Sequence, residues 1–241
     1  MKKKMKKVSE KPKEEGKPER VETGIPGLDR LIEGGFVKGS AVLIAGETGT
    51  GKTIFCTQYI WHGLQKGENV VYITLEEPAE DIISQALQFG MDFRPYIQQG
   101  RCIIEYVFPK SCDDLDYEIF KRIKEVNATR FVLDGLSLVA FAAKASDPTE
   151  LRAKVFELIM RLKQYGVTSL IVGEIPEATK ALSRFGFEEF IVDAVIVLHY
   201  LEFTGGGTPR SLLIRKMRHT KHGTDIYPIE ITNKGIVVKK E

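Results

Sequence analysis

The sequence predicts an α/β fold in which a central, mostly parallel sheet is flanked by helices and carries antiparallel strands on its C-terminal side. Three observations predict it. Short continuous apolar runs such as Ala41 to Ala45 and Val70 to Leu75 read as strands buried on both faces. They alternate with helix-compatible stretches long enough to cross over and bring the next strand in parallel. From Asp193 onward the runs Ala194 to Tyr200, Ser211 to Met217, Ile226 to Ile231 and Ile236 to Lys239 follow one another without long helices, and short connections force antiparallel neighbours.

The chain has 241 residues, 43% of them hydrophobic, which suits one globular domain over residues 21–241. Before it, residues 1–20 carry eight Lys and one Arg against four Glu, with almost nothing to bury, and read as a disordered basic tail. The whole chain has a net charge of +2, so the body without this tail is mildly acidic. That sign is poor for a nucleic-acid groove. No apolar run is long enough to span a bilayer and no apolar segment follows the N-terminal lysines, so the expectation is a cytoplasmic protein. Cys56, Cys102 and Cys112 are odd in number and lack C-x-x-C spacing, as expected of reduced, mostly buried thiols.

Taken in order, Thr23-Gly24-Ile25-Pro26-Gly27 is a turn signal before a short apolar segment at Leu28 to Ile32, which Gly34-Gly35 ends. Ala41 to Ala45 is the first core strand and Lys52 to Gln65 a helix. Val70 to Leu75 is the next strand, stopping at Glu76-Glu77-Pro78; Asp81 to Phe89 is helical, with Gly90 as its stop. Strands at Cys102 to Val107 and Arg130 to Asp134 bracket a helix from about Leu115 to Val126. Asp147-Pro148-Thr149-Glu150 combines an N-cap, a first-position proline and a capping-box acid before Leu151, Val155, Leu158, Ile159 and Leu162. Thr168 to Gly173 is the last strand before the C-terminal set.

Between the first strand and the first helix lies Gly46-Glu47-Thr48-Gly49-Thr50-Gly51-Lys52-Thr53, the G-x-x-x-x-G-K-[ST] pattern of a phosphate-binding loop. Its glycines allow a tight turn whose N–H groups point at phosphate oxygens, and the helix N-terminus that follows favours anions. Lys52 is expected to reach the β- and γ-phosphates of a nucleoside triphosphate, and the Thr53 hydroxyl to ligate Mg²⁺. Thr48, Gly49, Thr50, Gly51, Lys52, Thr53 and Ile54 are the expected nucleotide-binding residues here. Asp134 ends the run Phe131-Val132-Leu133 and is the expected second metal ligand, at the C-terminal end of a neighbouring strand.

Glu76 and Glu77 also lie at a strand's C-terminal end. One of them is a candidate to accept a proton from water, but acids before a helix also favour its dipole, and spacing leaves both readings open. Lys216 and Arg218 alternate on a late strand and so present their charges together; alone, they read as a solvated strand face. His62, His199 and His219 lack metal-ligand spacing.

The set Thr23 to Asp29, Gly46 to Thr53, Tyr72 to Glu77, Leu133-Asp134-Gly135, Arg184-Phe185-Gly186 through Asp193 and Lys216-x-Arg218-x-Thr220-x-His222 resembles the KaiC family of RecA-like ATPases, over nearly the whole chain outside the tail. The resemblance implies a RecA-type fold, ATP with Mg²⁺ as ligands, and a ring, usually a hexamer, with ATP between subunits. Carried over, Glu76 and Glu77 take the catalytic glutamate positions, Glu76 matching the wider RecA group better. Lys216 and Arg218 become trans-acting fingers on the neighbour's γ-phosphate, and Met217, Thr220, His222 and Thr232 approach nucleotide from that same neighbouring face. Two departures stand out. The Ser/Thr pair phosphorylated in the clock protein corresponds here to Glu189 and Phe190, which argues against autokinase activity, and His219 stands where the family more often has glycine.

The function expected on these grounds is ATP hydrolysis by a ring that acts on a protein partner. The alternative is a DNA-acting recombinase relative. Against it, the channel-facing segments mix Lys144, Lys180 and Arg184 with Glu174, Glu177, Glu188 and Glu189, the wrong balance for a groove that tracks a phosphate backbone.

Overall fold

The structure is a computed structural model that describes residues 16–143, 148–176, 181–201 and 210–239. The elements are, in chain order, β1 (Arg20–Val21), β2 (Phe36–Val37), β3 (Ala41–Gly46), α1 (Lys52–Gln65), β4 (Val70–Thr74), α2 (Ala79–Gln88), α3 (Arg94–Gln98), β5 (Cys102–Tyr106), α4 (Cys112–Val126), β6 (Arg130–Asp134), α5 (Leu136–Ala143), α6 (Pro148–Gln164), β7 (Thr168–Glu174), α7 (Glu188–Ile191), β8 (Ala194–Tyr200), β9 (Arg210–Met217), β10 (Ile226–Thr232) and β11 (Gly235–Val238). A 3₁₀ turn, Asp29–Ile32, lies between β1 and β2.

Nine strands form one sheet in the order β11-β10-β9-β8-β3-β7-β6-β4-β5. From β8 to β5 every pairing is parallel, and from β8 to β11 every pairing is antiparallel. The expected mixed sheet is therefore present, and the parallel C-terminal ends line up: Gly46 is opposite Glu174, and Thr74 opposite Asp134.

Consecutive strand residues face opposite layers, which is why these strands are apolar throughout. Val42, Ile44, Tyr72 and Val132 pack beneath Phe55 and Tyr59 of α1 and Ile82 of α2. Leu43, Val71, Phe131 and Leu133 pack on the other side against Ile119 and Ile123 of α4 and Val155, Leu158 and Leu162 of α6. The α2 stop is as read: Gly90 takes φ 78°, and the Met91 N–H returns to the Ala86 carbonyl at 3.1 Å.

Some expectations change. Residues 136–143 form helix α5, an element not read from the sequence, because their nearly unbroken apolar run hides the helical period. Helix α2 begins at Ala79 with Pro78 as its N-cap residue, two residues earlier than Asp81. Arg20, assigned to the tail, sits in β1 paired with Val37. Asp147, Lys144, Lys180 and Glu177 lie outside the described residues. Residue Arg215 is an extra residue in β9, because Val195 is opposite Lys216 while Ile196 is opposite Ile214. Ile214 and Met217 thus share one apolar layer, and Lys216 is turned to the other face, toward α7.

Arg130, at the start of β6, is 1% exposed and fully partnered. It grips the Glu68 carboxylate through Nε at 2.8 Å and a terminal nitrogen at 2.7 Å, donates to the Glu22 and Tyr59 carbonyls, and lies 4.6 Å over the Tyr59 ring. Burial pushes the Glu68 carboxyl up, but the Arg130 hydrogen bonds and charge outweigh this and hold it below its ordinary range. Removing the carboxylate strands a buried cation, whereas removing the cation leaves a carboxylate that water can reach. Glu68→Ala is expected to cost about 3 kcal/mol and Arg130→Met distinctly less, as read by thermal melting at pH 7. Because the Glu68 pKa is depressed in the folded state, this stabilisation is present above its ordinary carboxylate pKa and is lost as pH falls through the lower, folded value.

Candidate functional site

The turn between β3 and α1 is held open as a cradle. Gly49 and Gly51 have φ of 76° and 105°, in the left-handed region. A Cβ on Gly49 would stand 2.8 Å from the Tyr200 hydroxyl. That hydroxyl donates to the Gly49 carbonyl at 2.6 Å, and Arg210 Nε donates to the same carbonyl at 3.2 Å. Buried Thr50 ties the loop to itself through Glu47 O at 2.8 Å. No side chain caps α1 and its first turn holds no acid, so its N–H groups remain available to an anion.

Lys52 Nζ donates to the Gly46 and Glu47 carbonyls, both at 2.9 Å. Burial lowers its pKa, opposed by the charges of Asp134, Glu76 and Glu174. Asp134 is buried at the end of β6 and accepts a short hydrogen bond from the Tyr72 hydroxyl, with the Thr53 hydroxyl near enough to favour its charged form. Burial pushes its carboxyl up against these contacts. The two residues expected to serve Mg²⁺, Thr53 and Asp134, therefore meet. One hydroxyl, one carboxylate and a phosphate cradle are the oxygen-rich, ligand-poor setting that this ion uses alongside substrate phosphates.

Glu76 and Glu77 diverge. The Glu76 side chain lies against Gly135, where an added Cβ would come within 2.8 Å of its Cγ. It stands at the solvent edge, yet burial of its carboxyl, followed by the charges of Asp134 and Glu174, pushes it up to about 7. The Glu77 carboxylate instead accepts from Gln85 of α2 at 3.0 Å, and its carbonyl takes the Thr74 hydroxyl. The Glu77 side chain thus turns along α2 rather than toward Gly135.

The second predicted group lies at the other end of the sheet. Asp193, just before β8, exchanges hydrogen bonds with Ala41, the first residue of β3, and accepts from the Arg218 N–H at 3.0 Å. Lys216 Nζ donates to the Glu189 and Val192 carbonyls at 2.8 and 2.7 Å, and the Arg218 guanidinium approaches Asp193 at 3.4 Å. Burial and then the Arg218 charge lower the Lys216 pKa, so the two cations are neighbours, with Arg218 just past the end of β9. The length of β3 separates them from their own P-loop, roughly 15 Å at about 3.3 Å per residue. Met217 is buried beneath this end, while Thr220 and His222 follow in the same loop. Thr232 does not belong with them. It ends β10, in the hairpin whose Ile231 and Ile236 flank Gly51, so it lies beside the P-loop of its own chain.

Tyr72, Glu174, Tyr200 and Arg210 contribute to the cradle without having been singled out for it. The first three sit within or at the ends of apolar strands, where they read as core or strand-end residues. Arg184 pairs with Glu174 at 2.7 Å, and buried Glu188 accepts from Ser183 and from the N–H groups of Phe185 and Phe187. No helix among the described residues is long and apolar enough to cross a membrane.

Comparison with known proteins agrees with this geometry. A family model described as "ATPase: KaiC" matches residues 21–241. The chain is 36% identical over 236 residues to a UPF0273 protein of Thermotoga maritima, covering 91% of this chain and 95% of that one. It is 35% identical over 232 residues to the circadian clock protein KaiC3 of Synechocystis, covering 91% of this chain but 45% of the relative, so it spans about half that protein's length. The crystal structure of a KaiC-like protein from Pyrococcus horikoshii matches with a TM-score of 0.84 at 40% identity, over 92% of this chain and all of the other. With a RecA-type sheet, a phosphate cradle at its carboxyl edge and a family match over everything but the first twenty residues, the chain belongs to the KaiC family of P-loop ATPases.

Proposed function

We propose that the protein is a magnesium-dependent ATPase that assembles into a closed ring, a hexamer, and turns ATP hydrolysis into a conformational change acting on a protein partner. Each active site is composite. One protomer supplies the cradle, with Thr48 to Ile54 around the phosphates, Lys52 on their β- and γ-oxygens, and Thr53 and Asp134 to hold the metal. Magnesium held there would neutralise part of the phosphate charge. Glu76 orients and deprotonates the attacking water. The next protomer supplies Lys216 and Arg218, whose charge stabilises the transferring phosphoryl group.

The observation that carries this reading is the position of Lys216 and Arg218. They are too far from their own cradle to touch its nucleotide, and Arg218 borders an exposed groove of about 460 Å³ that Phe156, Met160, Phe190 and Ile191 line with it. Phe190 is 63% exposed and Phe156 45%. Apolar surface rimmed by charge is the composition of an association face. A site shared between subunits must lose activity when subunits separate. Phosphate release per protomer is therefore expected to fall on dilution, and Phe190→Glu is expected to move that fall to higher protein concentration while leaving the melting temperature unchanged. Rates independent of concentration down to a demonstrated monomer would refute the shared site.

A further inference from the structure

We propose that Arg20 is a positioning residue for the loop that carries Arg218, and that it acts by holding His219 in a backbone conformation normally left to glycine. The inference rests on the proposed function, in which Arg218 serves the neighbouring protomer's nucleotide.

Among the described residues only Glu33, Asn127 and His219 combine a side chain with positive φ. Arg20 binds two of the three. One guanidinium nitrogen donates to the Glu33 carboxylate at 2.9 Å and to the His219 carbonyl at 3.0 Å. The other donates to Thr220 Oγ1 at 2.8 Å and to the Ile32 and Gly35 carbonyls, both at 3.2 Å. The side chain is 14% exposed; its bonds to Thr220, Ile32 and Gly35 are partly buried, while those to Glu33 and the His219 carbonyl lie at the surface. Thr220 Oγ1 in turn donates to the Arg218 carbonyl at 3.2 Å, and the Gly223 N–H to Leu31 O at 3.0 Å.

The physical logic is that His219, at φ 56°, occupies a region that its Cβ disfavours and that persists only when surrounding contacts over-determine it. The bond to its carbonyl and the bond to the next residue's hydroxyl supply that determination from a chain segment about 200 positions away. Without them the turn relaxes toward ordinary φ, and the direction in which Arg218 leaves the sheet changes with it. A guanidinium is needed because its rigid fork reaches several acceptors at once, which an ammonium group cannot do.

The test compares Arg20→Ala, Arg20→Lys, His219→Gly and the Arg20→Ala/His219→Gly double variant for kcat, KM for ATP, ring elution and melting temperature. A displaced finger is expected to lower kcat by about ten- to a hundredfold with KM and elution held, in Arg20→Ala and also in Arg20→Lys. Glycine adopts the turn without support, so the double variant is expected to recover most of the lost kcat. Should Arg20→Ala melt below the assay temperature, Arg20→Lys carries the same comparison. Wild-type kcat in Arg20→Ala and Arg20→Lys, or a loss that His219→Gly leaves uncorrected, would overturn the proposal. Arg218→Ala run alongside separates the two levels. If it turns over normally, the shared-site reading has failed; if it is inactive while Arg20→Ala is not, only the positioning role has failed.

Discussion

Glu76→Gln is expected to bind ATP as tightly as the wild type and to lower kcat by about 10²–10⁴-fold, the range for removing a positioned general base. Size and hydrogen-bonding capacity are nearly kept, so the change removes little besides the ability to take a proton. The same residue sets a pH dependence. Burial of its carboxyl and the neighbouring charges of Asp134 and Glu174 raise its pKa to about 7, and a base works only when deprotonated. The wild-type rate should therefore fall as pH drops through about 7, and this limb should disappear in Glu76→Gln. Glu77→Gln is expected to have a much smaller effect, because that carboxylate faces Gln85 of α2. Steady-state phosphate release between pH 5.5 and 9, with nucleotide affinity measured separately, checks all three; an unchanged acidic limb in Glu76→Gln would assign the proton transfer elsewhere.

The same pair shows how far sequence reasoning reaches. The cradle was legible because its chemistry depends on adjacent residues, and Asp134 because a strand ending in a carboxylate beside such a loop has few other readings. Choosing between Glu76 and Glu77 depended on which way the chain turns after β4. There the Thr74 hydroxyl accepts from the Glu77 N–H at 3.1 Å and donates to the Glu77 carbonyl at 3.0 Å, directing the two side chains apart. No spacing rule encodes that turn. Tyr72 was invisible for a different reason: it occupies a strand position that any large apolar residue could fill, and only the β4–β6 pairing places its hydroxyl on Asp134. Thr232 was grouped with the fingers by analogy, although the hairpin of β10 and β11 folds it back to its own P-loop. Arg20 was masked by composition, being one more charge at the end of a charged tail.

Arg218→Ala is expected to reduce turnover by about 10³–10⁵-fold, the contribution of a finger supplied in trans, with little change in ATP affinity. Affinity is expected to be spared because Lys52 and the loop N–H groups, proposed to hold the phosphates, lie at the other end of the sheet from Arg218 in the same protomer. Mixing provides the sharper measurement. Lys52→Ala protomers lack a working cradle but keep their fingers; Arg218→Ala protomers lack the finger but keep the cradle. Neither turns over alone, yet a mixed ring contains junctions where an intact cradle meets an intact finger, so activity should return and peak near equal proportions. If Arg218 instead served its own nucleotide, every junction in the mixture would lack one part and no activity could return. Lys216→Ala belongs in the same series, and its loss is expected to be smaller. Its ammonium group is committed to the Glu189 and Val192 carbonyls, whereas Arg218 is 50% exposed and, among the described residues, its guanidinium makes one long contact to Asp193, which leaves its fork free to turn outward.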